Sequence, residues 1–178
     1  DEEKGSVEGT TIAYDGIALL VNPNNTVKNI SIEDVKKIYT GEITNWKDLG
    51  GEDAPIVVVS REEGSGTRDA FQEIVGYESE ELTKDASISD GSGAVKTTVA
   101  GNKNAIGFAS FEYIDDTVSA LSVNDVEPTA ENVKAGDYKI SRPFLLVTSK
   151  DTLTDEGQKL IDFVLSSEGQ QIVKDNKL

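Results

Sequence analysis

Apolar residues change their spacing several times along the chain, and each change marks an element. Thr11–Asn22 ("TIAYDGIALLVN") is a nearly unbroken apolar run with β-branched and aromatic members, closed by "NPNN". That pattern predicts a strand followed by a turn. In "SIEDVKKIYTG", Ile32, Val35, Ile38 and Tyr39 recur at helical spacing. Ser31 with Asp34 resembles a capping box with the shorter acid, and Gly41 ends the helix. "ITNWKDLGG" predicts a loop or short helix, with Trp46 as a packing anchor or a stacking surface. Pro55–Ser60 ("PIVVVS") is a short continuous apolar run, as a buried parallel strand requires. In "TRDAFQEIVG", Ala70, Phe71, Ile74 and Val75 share a helical face and Gly76 stops it. Gly91–Asn102 predicts a further helix, "AIGFASFEYI" and Ile140–Ser149 predict strands, and "TDEGQKLIDFVLSSEGQQIVKDN" predicts a C-terminal helical region. In that region Leu160, Phe163, Val164 and Leu165 form the expected apolar stripe and Gly169 the expected interruption. Strands alternating with helices imply an α/β fold with helices covering a sheet. There is no internal repeat and no low-complexity linker.

Composition narrows the chemistry. The 178 residues suit one medium domain or two small lobes, and no apolar run reaches membrane-spanning length. The polar start, "DEEKGSVEG", does not form a signal peptide, and Met is absent, so the chain is expected to begin after processing or to be cut from a longer one. Without Cys there are no disulfides or thiolate metal sites. Without His the usual nucleophile–base hydrolase machinery and zinc sites are excluded. A carboxylate-only cation site stays open, but no paired-acid motif stands out, so neither a metal nor a catalytic site is assigned. The net charge of −16 repels nucleic acid and anionic lipid at long range.

Against that acidic background, Ser60–Phe71 ("SREEGSGTRDAF") joins a predicted strand to a predicted helix, with two glycines, two hydroxyls and two arginines between Arg61 and Arg68. The first N–H groups of a helix lack internal partners and carry partial positive charge. Gly64 and Gly66 let the backbone bend and approach a ligand. Ser65 and Thr67 add hydroxyls, and Arg61 a planar two-pronged donor. Such a cradle binds an oxyanion by local hydrogen bonds and needs no net positive surface. The same residues also read as a turn in which Ser65 or Thr67 merely caps the helix. The spacing matches neither a P-loop nor a nucleophile elbow. "DGSGAVKT" (Asp90–Thr97) is a second small-residue turn, either an anion turn or a helix cap.

The R-x-x-G-S-G-T string, with "TGEITNW" upstream, resembles the anion-binding segment of the periplasmic-type phosphate-binding proteins, the substrate receptors of phosphate ABC transporters. "IAYDGIALLVNPNN", "NAIGFASFEYI", "ISRPFLLVTS" and "FVLSSEGQQIV" agree with that family in order. The resemblance implies a type II periplasmic-binding-protein-like α/β fold in which two lobes close on phosphate. It implies Arg61, Ser65, Gly66 and Thr67 as phosphate ligands, supported by Glu63, Gly64 and Arg68. Glu63 would orient Arg61 or stand as a solvated turn residue; Arg68 would form a structural ion pair or lie at the cleft edge. The family's N-terminal segment, with a hydroxyl-rich loop and an aspartate that accepts the proton of HPO₄²⁻, has no counterpart here. The chain therefore reads as one complete lobe (14–142), with 1–13 as crossover and 143–178 as the C-terminal part of the other lobe. The implied role is an extracytoplasmic receptor, lipid-anchored at the cell surface or periplasmic, with no cofactor and no enzymatic activity. Its implied partners are inorganic phosphate and the permease subunits. Receptors for other oxyanions, and a sensor or adhesion module that kept the lobe, remain alternatives. The C-terminal apolar stripe, lacking its other half, is expected to favour self-association.

Overall fold

The computed structural model describes residues 6–149 and 151–175. The chain falls into two compact units, Gly16–Ser141 and the paired segments ending at Asp15 and starting at Arg142. Strand β1 (Val7–Val21) runs through the boundary.

In the larger unit, β1 is buried on both faces, which is why its sequence shows an apolar run and not an alternation. Ile17, Leu19 and Val21 join one core with α1 (Ile32–Tyr39) and α2 (Gly66–Val75). Ala18 and Leu20 join the other, with Val95 and Val99 of α3 (Ser92–Gly101). The sheet between these layers is completed by β3 (Val57–Arg61), β4 (Ser87–Ser89), β5 (Ala105–Ser110) and β6 (Ser119–Ala120), in the order β4-β3-β5-β1-β6. β3 lies parallel to both β4 and β5, while β1 is antiparallel to β5. The parallel strands thus end together, at Arg61, Ser89 and Ser110. In open α/β sheets, ligands bind in a crevice outside the carboxyl ends of the strands.

A two-stranded parallel pair, β2 (Asn29–Ile30) with β7 (Ser122–Val123), and a short helix α4 (Ala130–Ala135) complete this unit. Ser31 caps α1, its Oγ accepting from the Asp34 N–H at 3.0 Å, but the Asp34 carboxylate accepts the Ser31 hydroxyl at 2.7 Å where a capping box would bond the backbone N–H. Trp46 is a packing anchor, 2% exposed, and its indole N–H donates to the Asn104 carbonyl at 2.9 Å. The strand predicted through Ile114 stops at Ser110, and Phe111–Tyr113 turn into a 3-10 helix.

In the smaller unit, β8 (Ser141–Ser149) pairs with β1, and two helices follow, α5 (Asp155–Leu165) and α6 (Ser167–Asp175). Two expectations are corrected here. The helical region breaks at Ser166, whose N–H bonds Phe163, and Gly169 lies inside α6. A Cβ on Gly169 would sit 2.2 Å from the Phe163 carbonyl oxygen, so glycine serves close approach, not interruption. The inward face of α5 is carried by Ile161, 6% exposed, while Leu160, Phe163 and Leu165 are exposed. No helix among the described residues is long and apolar enough to cross a membrane.

Candidate anion-binding site

The site begins where β3 runs out. Arg61 is the last residue of β3 and is 9% exposed. The chain then turns through Gly64, whose φ of +81° lies in the left-handed region that glycine adopts without strain. Ser65 caps α2, its Oγ accepting from the Arg68 N–H at 3.3 Å. Capping uses a lone pair of this hydroxyl, and its hydrogen is still a donor. The cap and the cradle are therefore compatible, and the sequence's two readings of "GSGT" do not compete. Gly66 and Thr67 form the first turn of α2, exposed and half-buried respectively. That turn directs its N–H groups out of the helix end, where the dipole is positive.

What aims α2 is a ring cluster on the far side of the helix. Phe71 is fully buried, stacked on Phe108 of β5 at 4.1 Å between centroids and edge-on to Tyr39 at 4.9 Å. Because Phe71 is one and a half turns from Ser65, its anchoring sets where the helix N-terminus sits relative to β3.

Arg61 is held by Glu62, not by Glu63. Its Nε donates to Glu62 Oε2 at 2.8 Å and its Nη2 to Oε1 at 2.7 Å, a two-pronged ion pair. Glu63 is exposed, as a turn residue. Arg61 Nη1 donates to Ser92 Oγ at 2.8 Å, and Glu62 Oε2 accepts the Gly91 N–H at 3.2 Å. Glu62 thus serves the start of α3, whose N-cap Gly91 offers no side chain of its own. The second small-residue turn is part of this assembly as a structural support. Sequence reasoning missed Glu62 and Ser92; the only available signal was the missing cap side chain in "DGSG".

Of the five guanidinium N–H groups, three are engaged by Glu62 and Ser92, leaving one on each terminal nitrogen without a partner among the described residues. The hydrogen bond from Arg61, with help from the Glu62 and Gly91 N–H groups, lowers the Glu62 carboxyl to about 2. The same pair raises Arg61 further. A carboxyl depressed from 4.5 contributes stability that is complete above pH 4.5 and lost as the pH falls toward about 2. Denaturant unfolding followed against pH should show that loss, and Glu62→Gln should flatten it in this window. An unchanged profile in the variant would show that the pair contributes nothing to folding.

Arg68 has no ion-pair partner among the described residues. It is 6% exposed; Nη1 donates to the Arg61 carbonyl at 3.1 Å and Nη2 to Ser79 Oγ at 3.3 Å. Ser79 passes the chain on to Gln72 Oε1 at 3.1 Å. Arg68 thereby ties the end of β3 to the first turn of α2. Among the described residues no cluster of three or more acidic side chains could hold a metal ion.

The arrangement offers directed donors and a helix dipole around one paired guanidinium. It can bind a small oxyanion, and it contains no activated nucleophile. Comparisons with known proteins agree. The model of the PBP superfamily domain matches residues 2–168. The phosphate-binding protein PstS of Bacillus subtilis is 37% identical over 97% of this chain and 58% of its own length. PstS of Borreliella burgdorferi is 31% identical over 97% of this chain and 65% of its own length. The chain thus spans less than two thirds of these curated relatives. A crystal structure from Clostridium perfringens, described as a phosphate ABC transporter substrate-binding protein with bound phosphate, superposes with a TM-score of 0.86. It is 60% identical, over 96% of this chain and 70% of that one. An ABC-type phosphate transport receptor from Vibrio cholerae superposes with a TM-score of 0.90 at 33% identity, over 97% of this chain and 72% of that one. With a buried arginine beside a serine-capped helix N-terminus at the carboxyl ends of parallel strands, and with a family model that matches residues 2–168, the chain belongs to the PBP superfamily.

Proposed function

We propose that this chain is the oxyanion-holding part of an extracytoplasmic receptor for inorganic phosphate that feeds an ABC importer. In this role Arg61 clamps the ion through its two remaining N–H groups, and Ser65, Gly66 and Thr67 donate from the first turn of α2. Gly64 shapes the turn, and Glu62 fixes the guanidinium. The observation that carries this reading is the pairing of Arg61: a buried guanidinium held rigid by Glu62 and Ser92 with donors to spare. The relatives named above as phosphate-binding and phosphate-transport proteins support phosphate as the ion. The receptor role involves no catalysis, and lipid anchoring and contact with permease subunits belong to the same proposal. So does the division of labour, with 14–142 as the anion-binding lobe and 1–13 with 143–178 as part of the other.

Titration calorimetry with phosphate and sulfate tests the reading. Binding of both ions with little preference is expected, because an arginine and a helix N-terminus accept any tetrahedral oxyanion. No heat with either ion would refute the site. The smaller unit exposes Leu145, Val147, Leu160, Phe163 and Ile172, which supports self-association of this chain through that face. Light scattering should then show a mass that rises with concentration; a strict monomer at high concentration contradicts it.

A further inference from the structure

The two arginines of the "SREEGSGTR" stretch differ in one respect that their sequence does not show. Arg61 is neutralised by Glu62. Arg68 is as buried as Arg61, but both its acceptors, the Arg61 carbonyl and Ser79 Oγ, are uncharged. No carboxylate lies within ion-pair distance of it among the described residues, and the acids nearest in sequence on α2, Asp69 and Glu73, are exposed. Tyr77, which is buried nearby, cannot serve as a phenolate, because burial holds its hydroxyl well above the usual range.

Position makes this charge more costly. Arg68 is the third residue of α2, inside the turn where the helix dipole is already positive. A cation there is disfavoured by the dipole, and a buried charge without a counter-ion is disfavoured by desolvation. Two hydrogen bonds to neutral acceptors do not offset both. Breaches of local rules of this kind are expected at functional sites.

We propose that Arg68 is an electrostatic determinant of oxyanion affinity that acts from behind the helix end without touching the ion. Resting on the phosphate-site reading above, this assigns the site's uncompensated positive charge to Arg68 and its directed donors to Arg61. The empty protein carries the cost of an unpaired buried cation, and a bound dianion relieves it.

The test compares wild type, Arg68→Gln, Arg68→Lys and Arg61→Ala in this chain, with inorganic phosphate and sulfate as probes. Affinity is read by calorimetry and melting temperature with and without each ion. Arg68→Gln should weaken binding of both dianions about tenfold or more. Its melting temperature without ligand should be no lower than that of wild type, and its ligand-induced rise should shrink. Arg68→Lys, which keeps the charge and loses the fork, should bind within a few-fold of wild type. A purely structural role gives a different pattern: Arg68→Gln melts lower without ligand and Arg68→Lys is impaired equally, which would overturn the inference. Binding lost in Arg61→Ala but unchanged in Arg68→Gln would overturn it while leaving the site intact. A wild type that binds neither ion would overturn the site and this inference together.

Discussion

Arg61→Ala is expected to abolish measurable phosphate binding. The substitution removes two donors aimed at the ion, and it also strips Glu62 of its partner. The carboxylate stays behind, still held by the Gly91 N–H at 3.2 Å, so the local charge changes from neutral to negative beside the proposed anion position. Truncating a buried charged donor to a bound anion costs about 2–5 kcal/mol. That is roughly 30-fold to several thousand-fold in affinity. Arg61→Lys should fall between, because an ammonium keeps the charge and cannot make the bidentate contact with Glu62. The double variant Arg61→Ala, Glu62→Gln should recover part of the loss, since the repelling carboxylate is gone. Calorimetry of wild type, Arg61→Ala, Glu62→Gln and the double variant forms a cycle. If Arg61→Ala binds phosphate as wild type does, or if the double variant is worse than the single one, Arg61 and Glu62 do not work as described.

Phe71→Ala is expected to have the largest effect on folding. The ring is fully buried between Phe108 and Tyr39, where it joins α2 to both β5 and α1. Removing it deletes the burial of an aromatic ring and leaves a cavity lined by rigid neighbours, at about 3–5 kcal/mol. For a protein of marginal stability that is a large part of the total. Denaturant unfolding should show the midpoint falling by that amount. Phosphate affinity should fall as well, because the helix end loses the contact that aims it. Phe71→Leu, which fills much of the space, should retain most of both. A loss below about 1 kcal/mol in Phe71→Ala would mean that the cluster is not what holds α2.

These outcomes turn on features that differ in how far they could be read from the chain. The apolar runs Thr11–Asn22 and Pro55–Ser60, the helical spacing of Val35, Ile38 and Tyr39, and the caps at Ser31 and Ser65 are local. Each depends on residues within a turn or two, so period and capping chemistry determined them before any packing was known. The strand-to-helix turn at Gly64–Thr67 was legible for the same reason. The short strands were not: β2 and β7 are two residues each, paired across Asn29 and Ser122, and no periodicity can mark so brief a segment. The inward position of Ile161 and the place of Gly169 inside α6 also escaped the pattern, because a helix with apolar residues on several sides does not declare which side is covered. The acid that serves Arg61 could not be chosen either. Glu62 and Glu63 are chemically the same, and only the parallel pairing of Arg61 with Ser89 brings Gly91 and Ser92 to the side on which Glu62 stands. Arg68 was decided in the same way. Its helical phase turns it beneath the first turn of α2, away from every carboxylate within ion-pair reach among the described residues. Local sequence determined where an anion's donors could be, but the balance of charge around them depends on distances between residues far apart in the chain, and only the packed sheet and helices set those.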